Sequence, residues 1–130
     1  MKIIPGHAPG AVSEQRTATF TGAVWLDPVL PATDGTMINN VFFTPGARTH
    51  WHRHGAGQVL YVVAGSGLVC ARGGKPQRLR AGDTVWTAPG EMHWHGASPD
   101  GFLLHLAVSL GTTEWHEPVS DDEYPAANPP

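Results

Sequence analysis

Imidazole changes charge near neutral pH and is the commonest nitrogen ligand of metal ions, so the placing of histidine along the chain is where chemistry is to be sought first. Six of the eight histidines, His50, His52, His54, His93, His95 and His105, fall within less than half of the 130 residues. In an extended strand alternate side chains share a face. His50, His52 and His54 therefore point one way with Trp51 and Arg53 opposite, and His93 and His95 share a face that Trp94 does not. Imidazoles stacked on an inward face must be paired or stay neutral at a desolvation cost. A metal ion removes the difficulty, because each neutral ring donates a lone pair to it. Gln58 follows His54 after the short turn Gly55-Ala56-Gly57, and a hairpin made there can bring its amide oxygen back towards the two histidines. If Gln58 ligates beside three imidazoles, every donor is neutral and the ion keeps its full charge, which suits a Lewis acid holding an anionic or polarised group. Nitrogen and oxygen donors without a thiolate suit Mn, Fe, Co, Ni, Cu or Zn, and the residue types do not choose among them.

These side chains need strands to hold them. Sixteen Gly and twelve Pro interrupt the chain at short intervals, so the elements must be short. Apolar, β-branched and aromatic residues concentrate at 19–26, 37–44, 58–63, 67–72, 83–87 and 102–110. Short runs at that spacing predict an all-β sandwich or barrel. Reversals are expected at Thr44-Pro45-Gly46, at 71–76 and at Ala88-Pro89-Gly90, where proline presets φ and glycine supplies φ > 0. The acidic, then proline-rich ending 121–130 reads as a strap or a frayed tail.

The chain is long enough for one domain to build a core without disulfides. Hydrophobic residues make up 41% and charged residues 15%, a globular balance. With a net charge of -3 and no basic stripe, nucleic acid is not an expected partner. No apolar run approaches the roughly 20 residues that cross a bilayer, so a membrane is not one either. The opening MKIIPGHAPG breaks any apolar leader, and the single Cys70 has no partner for an internal disulfide; a cytoplasmic location with Cys70 as a core residue is expected. His7 and His116, near the termini, read as surface residues, and Trp25, Trp86 and Trp115 as packing or contact residues.

The pattern Gly46-x5-His52-x-His54-x3-Gln58-x6-Gly65 resembles the first motif of the cupins, with Gln58 where most of them have Glu. Gly82, Gly90 and His93 resemble the second, looser motif, although Ala88 stands in the usual proline position, Pro89 comes one place late, and Ala97 replaces a common asparagine. The resemblance implies an all-β, cupin-type jelly-roll barrel spanning residues 1–130 as a single domain, with its core at about 19–110 and a C-terminal extension at 111–130. It also implies one divalent transition metal held by His52, His54, Gln58 and His93, and homodimers or homotetramers. Residues 45–54, Gln58 and residues 82–96 are similar to small bacterial cupins with the pattern PGARTxWHxH, Q, GDxVWxxPGExHWHG. That group includes manganese-dependent hydroxynitrile lyases and resembles small decarboxylase-associated cupins.

The lyase resemblance implies Mn as the preferred ion, ahead of Fe, Zn, Ni or Cu, and a small carbonyl or cyanohydrin substrate such as (R)-mandelonitrile. A general base is then needed beside the metal, and His95, His105 and His50 are the candidates because histidine titrates near neutral pH. His95 and His105 could instead hold a ligand or a buried carbonyl in place, and His50, in a variable position of the pattern, could simply line the wall. Val41, Phe43, Leu60, Leu104 and Trp94 are expected around the mouth. A metal-dependent dioxygenase, a decarboxylase or isomerase, and a non-enzymatic metal- or ligand-binding cupin are the rival readings. An Arg48 aimed inward on the face of His50 and His52 would favour a carboxylate substrate.

Overall fold

The computed structural model describes residues 1–126. Twelve antiparallel strands form a barrel: β1 (Glu14–Arg16), β2 (Phe20–Thr21), β3 (Val24–Thr33), β4 (Thr36–Phe43), β5 (Arg48–Thr49), β6 (His52–His54), β7 (Gly57–Ala71), β8 (Gln77–Arg80), β9 (Thr84–Thr87), β10 (His93–Ala97), β11 (Leu103–Leu110) and β12 (Thr113–Trp115). A single turn of helix, α1 (Glu123–Ala126), follows. The hydrogen-bonded order runs β1-β3-β4-β11-β7-β10-β5-β2, with β8 and β9 on β7, and β6 bridging β10 and β12.

Alternation in the sequence sets the inner face. On β11 the buried positions are Leu103, His105, Ala107 and Ser109, and on β4 they include Asn39, Val41 and Phe43. The two strands pair in register, His105 opposite Val41 and Ala107 opposite Asn39. They join Val24, Leu60, Val62, Leu79, Ala97 and Leu103 in the main core. β3 and β4 are connected by Asp34-Gly35, both at positive φ, which gives a tight reversal the right twist.

The runs at 58–63 and 67–72 are not two strands but one, β7. Its first half pairs β9 and β11, its second β8 and β10, so it turns the corner between the two sheets. Gly65 permits this: it sits at φ +83°, and a Cβ there would lie 2.1 Å from the Phe102 carbonyl oxygen. A bulge next to it, between Leu104 and His105, rotates the strand. Beyond the corner Leu68 and Cys70 consequently face a second core with Trp51, Trp94, Val119 and Tyr124. The run at 19–26 is likewise divided into β2 and β3, and β3 continues past Pro28 and Pro31, where only β4 pairs with it and no donor is needed on its free side.

The segment after β11 lies across the barrel as a strap. Tyr124 donates its hydroxyl to the Ala97 carbonyl at 2.6 Å, and the Arg48 guanidinium sits 4.4 Å from the Tyr124 ring centre. Residues 127–130, the end of the expected strap or tail, lie outside the described residues.

Candidate metal centre

Strand pairing brings the two histidine pairs together. β6 and β10 run antiparallel with His52 opposite His93, and their ring centres are 4.3 Å apart. His54 lies 5.0 Å from His52 and 5.6 Å from His93. Gln58, on β7, places Oε1 3.2 Å from His93 Nε2 while its amide nitrogen donates to Ser109 Oγ at 3.1 Å. His95 lies 5.2 Å from His52 by ring centres, and one ring nitrogen each of His52, His93 and His95 fall within 4.8 Å of one another. That three-histidine cluster can hold a metal ion.

The hydrogen bonds decide which nitrogens are free. His52 Nδ1 faces the His50 carbonyl and His93 Nδ1 the Glu91 carbonyl, both at 2.9 Å. A carbonyl only accepts, so each ring carries its proton on Nδ1 and bares a lone pair at Nε2. His93 Nε2 therefore meets Gln58 Oε1 lone pair to lone pair, a contact that a cation relieves. Among the described residues His54 Nε2, His95 Nε2 and His105 Nδ1 are buried with no hydrogen-bond partner, which native structures rarely tolerate without a ligand, water or ion. A ligating histidine whose second nitrogen is anchored on a carbonyl or hydroxyl is the usual arrangement around bound metals, and this donor set fits a divalent transition ion.

The rings are neutral at pH 7. Burial holds His54 and His105 down to about 4. Burial, then the nearby His93, pushes His52 well down, and burial, then His105, does the same to His95; burial also lowers His93. Unfolding releases these rings to their ordinary value near 6.5, so below that pH the unfolded chain takes up more protons than the folded one. The metal-free protein is therefore expected to lose stability as pH falls from about 6.5 to about 4, His105 alone accounting for roughly 3 kcal/mol of the loss. Urea midpoints at pH 7.5, 6 and 4.5 measure this; a flat profile would mean that the rings stay solvated in the folded state.

His105 completes the group, its Nε2 3.0 Å from His95 Nδ1, with the Phe43 ring against both, T-shaped to His95 and tilted to His105. His50 stays apart. The chain turns between β5 and β6, the Trp51 amide bonding to the Glu117 carbonyl, so strand parity does not run through position 50. Arg48 is turned away for the same reason: its guanidinium donates to the Val119 carbonyl at 2.9 Å and pairs with Asp121. Arg48 therefore gives no inward cation to favour a carboxylate.

His52, His54, Gln58, His95 and His105 line a cavity of about 70 Å³ together with Phe20, Leu26, Met37, Val41 and Trp115. Lys, Arg, Asp and Glu are absent from its described lining. It adjoins a vestibule of about 490 Å³ that shares Phe20, Leu26, Met37, Asn39, Thr113 and Trp115. Of the residues expected at the mouth, Val41 lines the cavity and Phe43 backs the histidines, whereas Leu60 belongs to the main core and Trp94 to the second core; Leu104 faces the other side of β11. Trp115 was expected as a packing or contact residue, but its ring lies 4.5 Å from that of His52. Asn39, Ser109, Thr113 and Trp115 were missed as site residues. For Asn39 and Ser109 the signal was present, since each alternates in phase with inward neighbours on its strand.

Residues 40–109 match the cupin domain. Over 111 residues the chain is 43% identical to an (R)-mandelonitrile lyase of Granulicella tundricola, covering 81% of this chain and 85% of that protein. A cupin-like protein from Thermotoga maritima superposes with a TM-score of 0.86 at 36% identity, over 93% of this chain and 97% of the other. A polyketide cyclase from Streptomyces resistomycificus shares the fold, with a TM-score of 0.73 at 18% identity over 97% and 96% of the two chains.

Proposed function

The chain belongs to the cupin family, and from that premise we propose that it is a metal-dependent hydroxynitrile lyase that cleaves and forms cyanohydrins such as (R)-mandelonitrile. The observation that carries this reading is the cavity itself: uncharged imidazoles and one amide converge on a space whose remaining walls are apolar or neutral. Such a pocket suits an aromatic carbonyl compound, and apart from the proposed ion its described lining offers no charged side chain to a carboxylate or phosphate. The similarity to a mandelonitrile lyase points the same way.

His52, His54, Gln58 and His93 are the proposed ligands of one divalent ion per chain, Mn for preference. When bound, the ion supplies a positive centre that favours the negative charge developing on oxygen or on departing cyanide. The protein does the rest. Phe20 and Trp115, with ring centres 5.7 Å apart, offer aromatic faces to the substrate ring at the mouth, and Val41 and Leu26 exclude water below them. His95 Nε2, free of any other partner, takes the hydroxyl proton. Its Nδ1 proton is then directed to His105 Nε2, which keeps the lone pair of His95 on Nε2. As the carbonyl forms, the carbon–cyanide bond breaks with its electron pair on cyanide, which leaves with the proton returned from His95 as hydrogen cyanide.

The described residues contain no helix long and apolar enough to cross a membrane, and a cytoplasmic location remains the reading. Residues 1–130 are taken as one domain. Trp25, Phe42, Tyr61, Val63 and Trp86 are exposed on the strands of one sheet, a surface that suits pairing with a second copy.

The decisive experiment prepares the protein separately with Mn, Fe and Zn, measures the ion by elemental analysis, and follows benzaldehyde release from (R)-mandelonitrile. Cleavage with at least one ion, independent of oxygen, is expected. An ion-loaded protein that leaves mandelonitrile intact in every case sinks the lyase reading.

A further inference from the structure

His52 and His93 anchor Nδ1 on carbonyls two residues back in the chain. His54 does not. Its Nδ1 meets Thr113 Oγ1 at 3.0 Å, from a strand 59 residues further along. A carbonyl accepts only, but a hydroxyl both donates and accepts. The tautomers of His52 and His93 are thus set locally, and that of His54 by the way the Thr113 hydroxyl turns. If Thr113 donates, His54 carries its proton on Nε2 and has no lone pair there; if Thr113 accepts, Nε2 is free.

The surrounding pairing makes this contact more than a chance approach. β12 lies antiparallel on β6 with Thr113 opposite His54 and Trp115 opposite His52. The Gly55 amide donates to the Thr112 carbonyl at 2.8 Å, and Arg53 meets both carboxylate oxygens of Glu114 on the outer side. The C-terminal strand therefore touches two of the proposed ligands through side chains and holds their strand through the backbone.

We propose that Thr113 is a positioning residue of the metal centre, accepting the His54 Nδ1 proton so that Nε2 is presented to the ion, and that ion binding is thereby coupled to docking of residues 112–116. This rests on His54 being a ligand, as proposed above. An ion that uses the Nε2 lone pair selects the tautomer that bonds to Thr113 as acceptor, which tightens β12; by thermodynamic reciprocity a docked β12 tightens the ion.

Thr113→Val keeps the β-branched shape and removes the acceptor, and Thr113→Ser keeps the hydroxyl. Metal-free proteins are titrated with MnCl2 by calorimetry. The Val variant is expected to bind about 10- to 100-fold more weakly and the Ser variant within about threefold of wild type, as for other anchors of ligating histidines. Amide exchange of residues 112–116 is expected to slow on the order of tenfold when MnCl2 is added to the wild type, and to stay unchanged in the Val variant. A Val variant that melts lower without metal yet binds Mn at wild-type affinity has lost only structure, and overturns the proposal. So does wild-type protein whose 112–116 amides ignore the ion, a result that stands even if the Val variant fails to fold. His54→Ala is run beside them: undiminished affinity there removes His54 from the ligands and the coupling with it, whereas lost affinity there with an unaffected Val variant removes Thr113 alone.

Discussion

His52→Ala yields a folded protein that holds no ion and cleaves no cyanohydrin. His52 is fully buried between His54, His93 and His95, with its proton fixed on the His50 carbonyl and its other nitrogen turned to the cluster. Disturbing only the anchor of a ligating histidine lowers metal affinity about 10- to 100-fold, so deleting the ring itself is expected to exceed that range. The loss is visible without any activity assay. An ion present at about a thousand times its dissociation constant stabilises the folded state by roughly 4 kcal/mol, which in a domain of this size amounts to a rise in melting temperature of roughly 15 °C. Wild-type protein is expected to show a rise of that order on adding MnCl2, and the variant none. Deleting a buried ring that bonds to the His50 carbonyl and packs on Trp115 also costs stability in the absence of metal, so the quantity compared is the shift that MnCl2 produces in each protein. An Ala variant that still melts higher with MnCl2 and retains one ion per chain would overturn the ligand assignment.

Where the relevant contact is carried by strand alternation, the sequence shows it. His52 with His54, and His93 with His95, share faces because each pair sits within a continuous strand, β6 or β10. His105 is inward because it alternates with Leu103, Ala107 and Ser109 on β11. The same rule misleads where a strand is interrupted. His50 and Arg48 were read in phase with His52, but the turn between β5 and β6 resets the phase, and Arg48 is spent on Val119 and Asp121. Gly65 rotates β7 at mid-length, which hides one long strand behind what looks like two. Trp94 alternates correctly with its histidine neighbours, and for that reason cannot also stand at the mouth. Thr113 and Trp115 were beyond reach for another reason: their partners lie on β6, and only the pairing of two distant strands brings them there. Periodicity reports which face a residue occupies, not which strand lies beside it.

His95→Gln separates a base from a ligand. Two readings of His95 are consistent with its position: its nitrogen falls in the compact group with His52 and His93, and its Nδ1 is engaged by His105 rather than by a carbonyl. The second feature favours the base. A ligand anchored on a carbonyl is locked in one tautomer, as His52 and His93 are, whereas an imidazole backed by another imidazole can hold a proton on either side and return it. His54, with its own buried and unpartnered Nε2, then completes the donors beside Gln58. On this assignment the Gln variant keeps its ion at wild-type stoichiometry while kcat falls by about 10²- to 10⁴-fold, the usual contribution of a positioned acid–base group. His105→Ala is expected to keep the ion too, with a smaller fall in kcat and a displaced acid limb in the pH profile, because it removes the neighbour that directs the proton of His95. His50→Ala, outside the cavity, should leave turnover as it is. The contrary result is equally plain: if His95→Gln loses the ion and His54→Ala keeps it, the donors are His52, His93 and His95, and proton transfer must be sought at His105, whose Nδ1 also lies buried with no partner among the described residues.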